Sequence, residues 1–143
     1  MDKISKKNKV TDIIKKLRAQ FSHYKIDGYI VPKNDEFFSE YIPKNRDRLK
    51  FISNFTGSYG FALILKNKNY LFVDGRYTIQ AEKQAGKKFK IITIPKKLPK
   101  DVLKFKKKIT LGFDPKLQTQ KQLNYFFKIK NVDLKPINFN LVD

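Results

Sequence analysis

The chain of 143 residues contains no cysteine and a single histidine. The first absence excludes disulfides, thiolate zinc sites and cysteine nucleophiles. The second weighs against a catalytic metal centre, which needs several His or carboxylate ligands converging on one pocket. It also leaves His23 as the only imidazole base for a Ser-His-Asp arrangement. Acidic residues are scarce, with three Glu and ten Asp. No apolar run approaches the length of a membrane span. The amino terminus, Met1-Asp-Lys-Ile-Ser-Lys-Lys-Asn-Lys9, lacks the apolar core of a signal peptide. A soluble cytoplasmic protein with no membrane partner is expected.

Arginine is rare as well. The formal net charge is +19, yet of 32 basic residues only Arg18, Arg46, Arg48 and Arg76 are arginine, and 28 are lysine. Base-edge readout favours the planar, bidentate guanidinium. The lysines run along the whole chain, with short clusters at Lys6-Lys7, Lys87-Lys88, Lys96-Lys97 and Lys106–Lys108. No specific nucleic-acid partner is therefore expected, only weak, salt-sensitive sticking to polyanions. A free-standing basic module binding nucleic acid or anionic surfaces stands as the alternative function, and it would need the lysines to gather on one face.

What the chain does have is apolar mass. Hydrophobic residues make up 41%, including 13 Phe and 7 Tyr, enough for one domain with a real core. A basic tail over residues 1–9 precedes a domain over 10–143. Val10, Ile13, Ile14, Leu17 and Phe21 recur at helical spacing, predicting a helix from about Thr11 to Tyr24. A strand follows at Tyr29–Val31, then a short helix from Asp35 through Tyr41, ended by Pro43. Gly60–Leu65 and Tyr70–Val73 read as a hairpin around Lys66–Asn69. A helix over Arg76–Ala85 has Tyr77, Ile79, Ala81 and Ala85 as its less polar positions and closes at Gly86. A strand over Phe89–Ile94, a lysine-rich helix over 99–107 carrying Val102, Leu103 and Phe105, and a strand over Thr110–Phe113 come next. A helix over Thr119–Lys128 burying Leu123, Phe126 and Phe127 and a strand over Val132–Ile137 complete the pattern. Alternating strands and helices with one hairpin predict the α/β class, a mixed sheet flanked by helices.

Two segments bracket the hairpin: Phe55-Thr56-Gly57-Ser58-Tyr59-Gly60 and Asp74-Gly75-Arg76-Tyr77. The first has neither the Gly-Lys-Ser/Thr ending of a phosphate loop nor a G-x-S-x-G elbow. Read plainly, its glycines permit positive φ in a tight turn. Asp74 can cap the following helix, Gly75 allows the bend, and Arg76 opens the helix or faces an anion at a strand end. His23 reads as a solvent-facing or C-terminal capping residue. Asp35, Glu36 and Glu40 complement a helix start, so no metal site is expected.

Read together, several motifs resemble the N-terminal, creatinase/prolidase-like domain of aminopeptidase P, the Xaa-Pro aminopeptidase. They are Asp27-Gly-Tyr-Ile-Val-Pro-Lys-Asn-Asp35, Ser39-Glu-Tyr41, Arg46-Asp-Arg48 with Phe51–Gly60, Asp74-Gly-Arg-Tyr77 with Gln80-Ala-Glu82, Gly112-Phe-Asp-Pro115 and Asn140-Leu-Val-Asp143. The resemblance implies that domain's fold, and it is strongest to the three-domain form, where this is the first of two related non-catalytic domains. It implies a pita-bread catalytic domain binding two divalent metals, usually manganese, through two Asp, one His and two Glu. No stretch here matches that ligand set. This chain is thus expected to be an isolated, non-catalytic domain with no cofactor of its own, its second domain and catalytic domain lying downstream. The implied partners are those downstream domains and a second copy in a homo-oligomer, with peptide substrate met only through the full enzyme. The implied role is to support oligomerisation and shape access to the metal site. Arg46, Arg48, Phe55, Thr56, Gly57, Ser58, Asp74, Gly75, Arg76 and Tyr77 are the candidates for that edge.

Overall fold

In the strand β2 (Gly60–Leu65) every residue is buried, and the side chains divide by alternation. Ala62 and Ile64 enter one apolar layer, while Phe61, Leu63 and Leu65 enter another. A strand apolar on both faces must be covered on both, and that requirement organises the molecule. The computed structural model describes residues 6–34, 42, 47–104 and 106–143. Its elements run α1 (Lys6–Ala19), α2 (Phe21–Tyr24), β1 (Gly28–Pro32), α3 (Arg48–Ser53), β2, β3 (Asn69–Asp74), a 3₁₀ turn (Gly75–Tyr77), α4 (Thr78–Ala85), β4 (Lys90–Ile94), α5 (Pro99–Leu103), β5 (Ile109–Phe113), α6 (Gln120–Phe127) and β6 (Val132–Pro136).

The six strands form one sheet in the order β4-β3-β2-β1-β5-β6. β2 is antiparallel to both its neighbours, while β3–β4, β1–β5 and β5–β6 pair in parallel. Every strand except β2 therefore points the same way. One layer packs Val10, Ile14 and Leu17 of α1, Leu49 and Ile52 of α3 and Ala81 and Ala85 of α4 on Tyr29, Val31, Ala62, Ile64, Leu71 and Val73. The other packs Leu103 of α5 and Leu123 and Phe127 of α6 on Ile30, Leu63, Phe72 and Leu111. Each of the buried Val, Leu, Ile and Phe side chains among them stabilises the fold by about 1.5–3 kcal/mol relative to exposure. This is the mixed, helix-flanked sheet that the sequence predicts.

The differences are local. The first helix starts at Lys6, inside the stretch read as a tail, because lysine is a good helix former and Val10 anchors the extension in the core. It breaks at Gln20, whose side chain donates to the Leu141 carbonyl. α3 is unpredicted. Asp47 caps it by accepting from the Lys50 N–H at 3.1 Å, and Asn54 ends it in the left-handed conformation with φ 67°. The helix expected over 99–107 ends at Leu103, where the Asn131 amide donates to the carbonyls of Leu103 and Lys106. Ile79 faces solvent at 74% exposure, because it lies about 200° around α4 from Ala81. Phe126 is half-buried, whereas Leu123 and Phe127 are buried as expected. Gly86 keeps a right-handed φ of −63°, so α4 closes without the left-handed glycine turn. The short helix expected over 35–41, Pro43 and Phe105 lie outside the described residues.

Candidate functional site

Strand direction brings the two glycine-containing segments together. Because β2 runs against β1 and β3, its first residue, Gly60, sits opposite Val73 near the end of β3. The segment leading into β2 and the segment leaving β3 thus share the edge at the carboxyl ends of the parallel strands, the edge where open α/β sheets place ligand groups. They are tied to one another. The hydroxyls of Ser58 and Tyr77 are hydrogen-bonded. The rings of Phe55 and Tyr77 meet edge to face at 6.2 Å. The Thr56 N–H donates to Oε1 of Gln84 at 2.9 Å, and Oγ1 of Thr56 accepts from Nε2 of both Gln80 and Gln84. Gln80 and Gln84 are one turn apart on α4, so both amides reach the same hydroxyl.

No glycine has positive φ, and among the described residues Lys25 and Asn54 are left-handed. The expectation of a positive-φ turn in the 55–60 loop is therefore corrected. Gly57 is needed for space, because a Cβ there would collide with the ring of the fully buried Phe55. Phe55 is a core residue that props the loop from beneath. Gly75 has room, its nearest neighbour to an added Cβ being Thr93 Cγ2 at 3.7 Å.

Asp74 caps the turn after β3. Its Oδ1 accepts from the Arg76 N–H at 2.9 Å and from Arg76 Nε at 3.1 Å. The backbone hydrogen bond, then the side-chain one, holds the Asp74 carboxyl below its ordinary pKa, and the bond to Asp74 raises Arg76. The Arg76 guanidinium also lies 5.3 Å over the Tyr77 ring. Its side chain is 72% exposed. Arg76 is thus held in place at the surface of the edge.

Arg48 takes a different position. Its side chain is buried and forms a bidentate pair with Asp143, Nε to Oδ1 at 2.8 Å and Nη2 to Oδ2 at 3.1 Å. Arg46 lies outside the described residues. The buried Asp114 accepts from Asn140 Nδ2 at 3.0 Å and from the Lys116 N–H at 2.9 Å, while the Leu141 N–H donates to the Tyr29 hydroxyl at 3.3 Å. Burial pushes the Tyr29 hydroxyl well above the ordinary tyrosine range.

A groove of about 290 Å³ opens on this edge. Tyr59, Phe61, Phe126 and Phe127 supply its apolar side and Asn34, Ser58, Gln118 and Gln122 polar groups; Lys33 and Asp47 are paired at 2.6 Å. Ser58 was a candidate edge residue in the sequence, as was Thr56, which also lines the groove. Gln122, three residues after the capping Thr119, was detectable as part of a capping box. A second groove, of about 460 Å³, carries Lys50, Lys83, Lys87 and Lys88. Lys50 and Lys83 sit in the last turns of α3 and α4, where cations complement the helix dipoles. Among the described residues no three His, Asp or Glu side chains are grouped to hold a metal ion, so they do not fit a di-metal centre. His23 is exposed and packs edge to face on Tyr24. No helix among the described residues is long and apolar enough to cross a membrane.

Comparison with known proteins now adds to this geometry. The family model of the creatinase/prolidase N-terminal domain matches residues 13–138. A protein of Arthroderma otae named probable Xaa-Pro aminopeptidase P is 35% identical over 141 residues, covering 93% of this chain and 23% of that one. Among solved structures, an X-prolyl aminopeptidase from Caenorhabditis elegans, described as a cytosolic enzyme with a di-nuclear active site, superposes with a TM-score of 0.77 at 26% identity. That match covers 93% of this chain and 25% of the enzyme. The N-terminal domain of the cytoplasmic peptidase PepQ from Mycobacterium tuberculosis has the same fold, with a TM-score of 0.64 at 21% identity over 88% of this chain and 92% of that domain. The chain spans less than a quarter of the length of the first curated relatives it matches.

Proposed function

This chain belongs to the creatinase/prolidase N-terminal domain family, and on that premise we propose that it is a non-catalytic accessory domain of a cytoplasmic Xaa-Pro aminopeptidase. In this reading the metal-dependent hydrolysis belongs to a separate domain, and the present one supports oligomerisation and shapes the entrance to the metal site. The carrying observation is the convergence of the 55–60 and 74–77 segments on one sheet edge, pinned by Thr56, Gln80, Gln84, Ser58 and Tyr77. Such tying is costly in conformational freedom for surface loops, and it holds Arg76 and Tyr59 at defined places on an exposed rim. Arg48, being buried, acts from below by holding α3 and residue 143 together.

The reading is tested in the full-length enzyme. Arg76→Ala and a Thr56→Ala/Ser58→Ala double variant should change kcat/KM for Xaa-Pro peptides or shift the oligomer mass in light scattering. Unchanged activity together with unchanged mass would overturn it. The 143-residue chain with manganese should show no turnover of a Xaa-Pro peptide, and specific turnover by the pure chain would equally overturn it.

A further inference from the structure

Four lysines meet in one groove on the side of the sheet covered by α1, α3 and α4. Lys50 comes from α3, Lys83 from α4, and Lys87 and Lys88 from the turn after α4. The groove measures about 460 Å³, within the range of about 300–1,000 Å³ found for small-molecule sites. None of the four ammonium groups has a carboxylate partner among the described residues. Lys33, Lys66 and Lys108, by contrast, each pair with an aspartate.

Helix ends balance only part of this charge. α3 and α4 both finish at the groove, and the carboxyl end of a helix carries about −0.5 of an elementary charge. Glu82 of α4 belongs in the balance too. Its Oε2 turns back toward Gly86, which lines the groove, and lies 2.9 Å from where a Cβ on that glycine would sit. Two helix ends and one carboxylate set about −2 against four lysines, which leaves about +2. The sequence leading to Val10, another lining residue, holds Lys3, Lys6, Lys7 and Lys9 against Asp2 alone, so it carries no surplus of acid.

Like charges in a concave site repel one another and focus a positive potential into it. An ion carrying about two negative charges cancels that excess. Ammonium groups suit phosphate, which they meet as point charges with three donors each. Asn54 also lines the groove, and its side-chain amide has no partner among the described residues, so a neutral donor stands beside the cations.

We propose that this groove is a binding site for a small dianion of the phosphate-monoester class, held by Lys50, Lys83, Lys87 and Lys88. The site borders the carboxyl edge at Thr56, which lines both grooves. Nothing in it depends on the accessory role of the domain.

The test is a heteronuclear NMR titration of the 143-residue chain at constant ionic strength and about pH 7.5, where a phosphate monoester carries nearly two charges. The probes are ethyl phosphate, inorganic phosphate and the monoanion dimethyl phosphate. Saturable shifts should centre on the amides of Lys50, Asn54, Lys83, Lys87 and Lys88, with a Kd for ethyl phosphate on the order of 1 mM. Dimethyl phosphate should bind several-fold more weakly. Lys87→Gln should weaken ethyl phosphate binding roughly fivefold, about 1 kcal/mol, and Glu82→Gln should tighten it. Lys121→Gln makes the same charge change on α6, across the sheet, and should leave the affinity unaltered. An equal loss in the Lys121 variant would mean an adventitious ion only, attracted by net charge, and would overturn the assignment. So would an absence of saturation, full affinity in the Lys87 variant, equal binding of dimethyl phosphate, or binding of inorganic phosphate alone. A short DNA duplex that occupied the same residues more tightly than ethyl phosphate would make nucleic acid the ligand and overturn it as well. These readouts are separate from the activity and oligomer mass that test the accessory role, so the two failures are distinguishable.

Discussion

Arg48 and Asp143, separated by 95 residues in sequence, share a bidentate ion pair that ties α3 to the last residue of the chain. The pair is asymmetric: the arginine side chain is 9% exposed and the aspartate 55%. The hydrogen bond to Asp143 raises the Arg48 pKa, against the opposing effect of burial. Losing the carboxylate removes two hydrogen bonds from a buried guanidinium, which costs more than losing an exposed pair.

Asp143→Asn should therefore destabilise the domain by about 1–2 kcal/mol, a figure reduced for the exposed half of the pair. Urea unfolding followed by far-UV circular dichroism should show a lower midpoint at unchanged slope. An unaltered midpoint would mean that the pair contributes nothing.

The two glycines of the edge should respond oppositely to alanine. Gly57→Ala must displace the buried Phe55 ring and should cost about 1–3 kcal/mol. Gly75→Ala meets only an ordinary contact with Thr93 and should be neutral or stabilising by up to about 1 kcal/mol. Thermal melts of the two variants check the pair, and equal losses would contradict the packing described.

Alkaline stability should be governed by buried tyrosine. The Tyr29 hydroxyl titrates above the ordinary range because of burial, and Tyr59 and Tyr70 are raised for the same leading reason. A raised folded pKa means that the folded state keeps its proton longer. That stability is fully present below about pH 10, the unfolded value, and is lost as pH rises toward the folded one. The melting temperature should fall from about pH 10 upward. Tyr29→Phe should flatten that fall while lowering stability at neutral pH by about 1–2 kcal/mol, since the Leu141 N–H loses its acceptor. An equally steep alkaline fall in the variant would assign the effect elsewhere.

At the acid end the Asp74 carboxyl is held below its usual value, first by the Arg76 N–H and then by Arg76 Nε. Its stabilising contribution is present above the unfolded pKa and is lost as pH falls through the folded one. Carbon-13 titration of the Asp74 carboxyl should give a midpoint below that of a model aspartate. Arg76→Ala should move it only part of the way back, because the backbone hydrogen bond remains. A full return would make the guanidinium the whole cause.

Much of the fold was legible because its signals are local. Phe61–Leu65 and Tyr70–Val73 are apolar runs separated by a polar turn, and the hairpin lies where they predict it. Asp74 was readable as a cap because a short acceptor before free N–H groups is a one-turn relationship. α3 was harder to see, being six residues long with only Leu49 and Ile52 as apolar anchors. Ile79 misled for a related reason: its composition suited the core while its angular position on α4 did not.

The candidate edge was only half legible. Its segments were visible one by one, but the bonds of Thr56 to Gln80 and Gln84 join loops to a helix 24 and 28 residues away. Gln118 carries no motif, Gln122 is legible only as part of a helix cap and Tyr59 only as part of the 55–60 segment; the three line one groove only in the folded chain.

By itself the sequence determined which stretches pair as a hairpin, which form most of the helices, and that the chain has the motifs of its family, since these depend on neighbours within a few residues. Only the tertiary structure decided that the 55–60 and 74–77 segments share one edge, that Arg48 is buried against Asp143 while Arg76 faces solvent, and that a groove carrying the Lys33–Asp47 pair opens on that edge. The reason is the reversed direction of β2 between two parallel strands, a non-local arrangement set by covering both faces of the sheet at once.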